Sequence, residues 1–130
     1  MTAGDACLGV VLRTQPLREP DLLVVLYTDA HGKVSAVARG ARRSQRRFAG
    51  ALSLLVLARF RLGRARGDLW SLENADVVRE WTRLASDVVA VAHASYVAEL
   101  VGALLPAEVP EPAALEIVVA AWDSLADGGP

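Results

Sequence analysis

Five short runs rich in valine, leucine and aromatic residues occupy the first part of the chain: Leu8 to Arg13, Asp21 to Thr28, Lys33 to Arg39, Leu54 to Leu62 and Asp68 to Val77. Turn chemistry separates them, with Pro16 and Pro20, then Asp29-Ala30-His31-Gly32, then Arg66-Gly67-Asp68. Five strands in so short a span predict a small barrel. Alternation assigns their faces, because side chains two apart point the same way. In the third run Val34, Ala36 and Ala38 share one face, and Lys33, Ser35, Val37 and Arg39 share the other. In the fourth, Phe60 and Leu62 oppose Arg59 and Arg61. The second run, Leu22 to Tyr27, is apolar on both faces, which predicts a central strand or one covered by another layer.

After Val78 the period becomes helical. Ser86 or Asp87 can cap a helix that runs to Leu105 and stops at Pro106. Its predicted apolar face holds Val89, His93, Tyr96, Val97, Leu100 and Leu104, opposite Ser95, Glu99 and Gly102. Pro112 suits the first turn of a second helix. Leu115, Val118, Val119, Trp122 and Leu125 form its stripe, with Glu116, Asp123 and Ser124 outside and Gly128-Gly129 at its end. The fold class expected is therefore mainly β with appended α: a five-stranded barrel over residues 1–80, then a helical part over residues 81–130. Two helices cannot make a core alone, so they should pack on the barrel or each other and leave an apolar face uncovered.

Charge changes this picture. The 130 residues carry a formal net charge of −1, but the sign is unevenly distributed. Up to Gly67 there are twelve cationic side chains against four carboxylates, a net +8; beyond it two arginines meet eleven carboxylates, a net −9. The basic part predicts an anionic partner. Its densest point is Gly40 to Gly50, where Arg42, Arg43, Arg46 and Arg47 fall between two strands, and Lys33, Arg39, Arg59 and Arg61 on those strands would extend the charge into a groove if the strands curve together.

Candidate catalytic and metal chemistry is sparse. Cys7 is the single cysteine, which rules out an internal disulfide and a cysteine-based zinc site within this chain and suits a reducing compartment. His31 reads as a turn residue and His93 as a packed core histidine. No Gly-x-Ser-x-Gly elbow occurs, and Gly63 to Gly67 lacks the P-loop lysine and the third glycine of a dinucleotide fingerprint. The expectation is a protein that is not an enzyme and carries no metal or cofactor. Met1 to Asp5 lacks the start of a secretory signal, and the apolar segment Val88 to Leu105 is interrupted by His93, Ser95, Glu99 and Gly102. A cytoplasmic protein without a membrane span is expected.

Nucleic-acid binding fits better, since single strands are held by a positive groove along the phosphates and by aromatic platforms under the bases. Phe48, beside Arg46 and Arg47, is the most suggestive platform, and it reads equally as an anchor of the loop to the barrel. Trp70 shares a face with Leu72 and reads as core.

The residues also resemble a known family. Gly9-Val10-Val11-Leu12-Arg13-Thr14, then Glu19 and Asp21, then His31 through Arg43 in order and spacing, then Arg47-Phe48-Ala49-Gly50 and Gly67-Asp68-Leu69-Trp70, are similar to the N-terminal domain of the bacterial RecO family of DNA repair proteins. That resemblance implies an oligonucleotide-binding (OB) fold followed by the start of a helical domain. It implies a non-catalytic recombination mediator that binds single- and double-stranded DNA, prefers the single strand, cooperates with RecR, and acts on DNA covered by single-strand-binding protein. Lys33, Arg39, Arg42, Arg43, Arg46 and Arg47 correspond to the family's basic region at the level of the loop, with Phe48, Arg59 and Arg61 completing the candidate DNA-binding set. Family members continue into a helical bundle, which in many holds a four-cysteine zinc segment and docks the tail of single-strand-binding protein; Pro20 stands where a small polar residue is usual. An alternative is a protein-interaction module that binds RecR or another partner with little DNA affinity of its own, and a third is an OB protein acting on RNA.

Overall fold

A computed structural model describes residues 5–42, 48, 50–63 and 66–127 of the chain. Five strands, β1 (Asp5–Pro16), β2 (Leu22–Thr28), β3 (Gly32–Ala38), β4 (Val56–Gly63) and β5 (Leu69–Glu80), close into a barrel in the order β1-β2-β3-β5-β4. β4 returns to β1, so no sheet edge is left open along the closure. Every pairing is antiparallel except β3 with β5, which meet over Ser35–Leu69, Ala36–Trp70 and Val37–Ser71. This is the five-stranded OB arrangement that the family resemblance implies.

The alternation holds. Val34, Ala36 and Ala38 of β3 are buried inside the barrel while Lys33, Ser35 and Val37 are half-buried outside, and on β4 Phe60 and Leu62 point in while Arg59 is exposed. β2 is covered on both faces: Val24 and Leu26 fill the barrel, and Tyr27 belongs to a second core between barrel and helices. Burial pushes the Tyr27 hydroxyl above its ordinary pKa, and its proton goes to the Glu111 carbonyl at 3.3 Å.

Three helices follow. A single turn, α1 (Thr82–Ala85), precedes the two expected, α2 (Val88–Leu104) and α3 (Pro112–Ala126). The Asp87 carboxylate caps α2 by accepting from the backbone N–H groups of Val89 and Ala90 at 3.0 and 3.2 Å. α3 buries Leu115, Val118 and Trp122, as its stripe predicts.

The face of α2 is a correction. Its buried residues are Ala94 and Ala98, whereas Val89, Tyr96 and Leu104 are 64%, 61% and 73% exposed and His93 is exposed too. The reason is distance. Alanines and Gly102 let the helix axis approach the barrel and α3 closely: a Cβ on Gly102 would stand 3.0 Å from Leu12 Cδ1. Val89, Tyr96, Leu100 and Leu104 therefore turn outward, while Val97 of the predicted face, with Val91 and Val101, still packs against the second core.

Two tryptophans join the layers. Trp122 donates its indole N–H to the Ala94 carbonyl at 3.1 Å, and Trp81 donates to Asp123 Oδ1 at 2.9 Å. Their rings meet edge to face at 5.0 Å, and the Arg79 guanidinium lies 4.5 Å above the Trp81 ring while also bonding Asp123. The segment between α2 and α3 ties back to the sheet as well, since Glu108 N–H donates to the Lys33 carbonyl at 2.9 Å. Gly32 makes this approach possible: its φ is +69°, and the main chain of Val109 occupies the place a side chain would need.

Candidate nucleic-acid interface

The β1–β2 turn, residues 17–21, and the end of β3 lie at the same end of the barrel, because Leu22 pairs with Ala38. There the start of the arginine loop is docked on the turn. Gly40 N–H donates to Asp21 Oδ1 at 2.8 Å, Arg42 N–H donates to the Pro20 carbonyl at 3.0 Å, and the Arg42 guanidinium meets Glu19 at 2.8 Å. Gly40, at φ +68°, makes the turn that brings this about. A Pro20 carbonyl is as good an acceptor as any, so the proline substitution noted above leaves the docking intact.

Phe48 supplies the other anchor. It is 3% exposed, belongs to the barrel core, and its carbonyl accepts from Ala51 N–H at 2.6 Å. This corrects its place in the candidate set: a ring buried in the barrel has no face for a base to stack on, so Phe48 anchors the loop. Arg43, Arg46 and Arg47 lie outside the described residues.

The remaining candidates are dispersed. β5 stands between β3 and β4, so the two strands do not curve into one groove. Arg59 pairs across the sheet with Asp76, and Arg61 with Asn74. The outer face of β4 and β5 thus interleaves Arg59, Arg61 and Arg79 with Glu73 and Asp76, which offset most of their charge. Lys33 is drawn elsewhere: its ammonium donates to the Gly102 carbonyl at 2.6 Å, in the last turn of α2, where the helix dipole favours a cation. The structure brings Arg39 and Arg42 together at the turn end and leaves Lys33, Arg59 and Arg61 apart from them.

Two features there escaped the sequence reading. Arg18, exposed in the β1–β2 turn, adds to the same basic end, and its position beside Arg39 and Arg42 follows only from the register of β2 on β3. The Arg79–Trp81–Asp123 cluster joins residues more than forty apart, and no local pattern signals it. Hydrogen bonds from Trp81 and Arg79 hold the Asp123 carboxyl below its ordinary pKa. Among the described residues no group of three His, Cys, Asp or Glu side chains could hold a metal ion, and no helix is long and apolar enough to cross a membrane.

A closed five-stranded barrel with Gly40 and Arg42 docked on its β1–β2 turn defines an OB-fold module. The chain belongs to the RecO family: residues 5–81 match the family described as Recombination protein O N terminal. It is 41% identical over 123 residues to the DNA repair protein RecO of Geobacter sulfurreducens, covering 95% of this chain and 50% of that protein. Against the DNA repair protein RecO of Anaeromyxobacter sp. (strain K) the identity is 43% over 123 residues, 94% of this chain and 48% of the relative. Against that of Symbiobacterium thermophilum it is 44% over 98 residues, 75% and 38%. The chain spans about half the length or less of these curated relatives.

Proposed function

We propose that this chain works in recombinational DNA repair as a non-catalytic, cytoplasmic DNA-binding module, gripping phosphates of single-stranded DNA, and of duplex more weakly, with the basic end of its barrel. Arg39 and Arg42, with Arg18 beside them and Arg43, Arg46 and Arg47 following in the loop, form the proposed contact set. The observation that carries this reading is the docking of Gly40 and Arg42 on the β1–β2 turn, which sets Arg42 at the same end of the barrel as Arg18. The Glu19 partner of Arg42 is 60% exposed, and an exposed ion pair is worth only about 0–1 kcal/mol, so a phosphate can displace it. Lys33 is better explained by its bond to the Gly102 carbonyl, and Arg59 and Arg61 lie on the β4–β5 face among carboxylates.

The test is a titration of labelled oligo(dT) across a salt series. Replacing Arg42, Arg43, Arg46 and Arg47 with alanine should flatten the slope of log affinity against log salt by about two to three units, at roughly 0.7 per phosphate released. An unchanged slope refutes the role given to the loop. A second reading is favoured by the outward apolar residues of α2, Val89, Tyr96 and Leu104: a protein-interaction module for RecR or another partner. Co-purification with RecR by a chain with no measurable DNA affinity would decide for it.

A further inference from the structure

A cleft of about 690 Å³ opens between the outer face of β1–β3 and the end of α2, away from the basic end. Leu12 and Val25 of the sheet and Ala98, Gly102 and Ala103 of the helix make its apolar, small-residue floor and wall. Ala107 and Glu108 close one side, held to β3 by the bond from Glu108 N–H to the Lys33 carbonyl, so the cleft is built in advance of any ligand. The volume is that of an ordinary ligand pocket and has room for a few residues of extended chain.

The polar groups in it are unevenly satisfied. Each cation has a hydrogen-bond partner and keeps its charge: Lys33 donates to the Gly102 carbonyl at 2.6 Å, and Arg13 donates to Gln15 Oε1 at 2.7 Å. The three carboxylates on the rim, Asp68, Glu99 and Glu108, are exposed and have no ion-pair partner among the described residues. The formal charges lining the cleft therefore sum to −1, with three unpaired carboxylates on the rim above an apolar floor. A phosphate backbone would meet three like charges there against two cations already hydrogen-bonded within the protein.

We propose that this cleft docks an extended segment of a partner protein, its apolar side chains on the Leu12–Val25–Ala98 floor and its lysine or arginine side chains on Asp68, Glu99 and Glu108. Arg39 and Arg42 do not line this site, so one module would hold DNA at one end and a basic peptide beneath α2. The inference does not depend on the DNA reading.

The test uses the full chain and three acetylated, amidated octapeptides in which valine alternates with lysine, glutamine or glutamate. Binding is followed by amide chemical shifts. The lysine peptide should bind with shifts centred on Ser35, Asp68, Glu99, Gly102 and Glu108, weaken with salt, and outbind the glutamate peptide. The triple variant Asp68→Asn, Glu99→Gln, Glu108→Gln should lose about tenfold in affinity, from three partly exposed ion pairs. Should that variant fold poorly, Ala103→Arg, which places a guanidinium inside the cleft, should block the peptide equally. Equal binding of the lysine and glutamate peptides, shifts centred elsewhere, or full binding by a folded variant would overturn the proposal. So would the same amides responding to oligo(dT) in place of the peptide, which would make the cleft a nucleic-acid groove.

Discussion

Lys33 separates a structural cation from a DNA-binding one. By pattern it belongs with Arg39 on the outward face of β3; in the structure its ammonium serves the Gly102 carbonyl while its own carbonyl receives Glu108 N–H. Lys33→Met keeps the backbone bond and most of the apolar stem but removes the ammonium. A hydrogen bond to a charged group contributes about 1.5–3 kcal/mol, and the helix terminus adds a few tenths. Because Lys33 is only half-buried, water replaces part of this, and the expected loss is about 1–2 kcal/mol. In a domain of this size that lowers Tm by about 3–8 °C. Urea denaturation followed by tryptophan fluorescence measures it, since Trp81 and Trp122 sit between barrel and helices. The same variant should leave the salt slope of oligo(dT) binding unchanged. A slope reduced by about 0.7 with stability intact would refute the assignment and return Lys33 to the phosphate contacts.

Other substitutions probe other parts of the argument. Phe48→Ala should cost about 3–5 kcal/mol by emptying the barrel end, seen as a lower urea midpoint; a loss under 1 kcal/mol would mean the ring is not core. Ala98→Leu should destabilise by about 1–3 kcal/mol in thermal melts, because α2 lies too close to accept the added volume, whereas Leu104→Gln on the exposed face should stay within about 0.5 kcal/mol. The Asp123 carboxyl, held below its ordinary value by Trp81 and then Arg79, contributes stability that is present above the unfolded pKa and lost as pH falls through the folded one. Asp123→Asn should remove that share of the acid limb of a stability–pH curve; an unchanged limb would show that the cluster does not couple to folding.

Much of the barrel was legible because half-buried strands leave a period of two. The inward set Val34, Ala36, Ala38, Phe60 and Leu62 appears in the sequence as alternation and in the structure as core. The two long helices were legible as elements, through Asp87, Pro106 and Pro112, and α3 also in its buried stripe, but α2 was not legible in its orientation. On α2 the size of the apolar residues points the wrong way, since close packing selects Ala94, Ala98 and Gly102, whose lack of bulk no hydrophobicity pattern rewards.

By itself, the sequence determined the strands, the inward faces of β3 and β4, the approximate limits of α2 and α3 and the concentration of positive charge in the first half of the chain. These are local properties, carried by neighbours one to four residues apart. Only the tertiary structure decided which cations share a surface. Strand order put β5 between β3 and β4 and set Arg59 opposite Asp76, while the approach of α2 drew Lys33 to a helix carbonyl. Charge interactions fall off with distance through space, and the chain folds residues distant in sequence against one another, so which cations share a surface is set by strand order and packing.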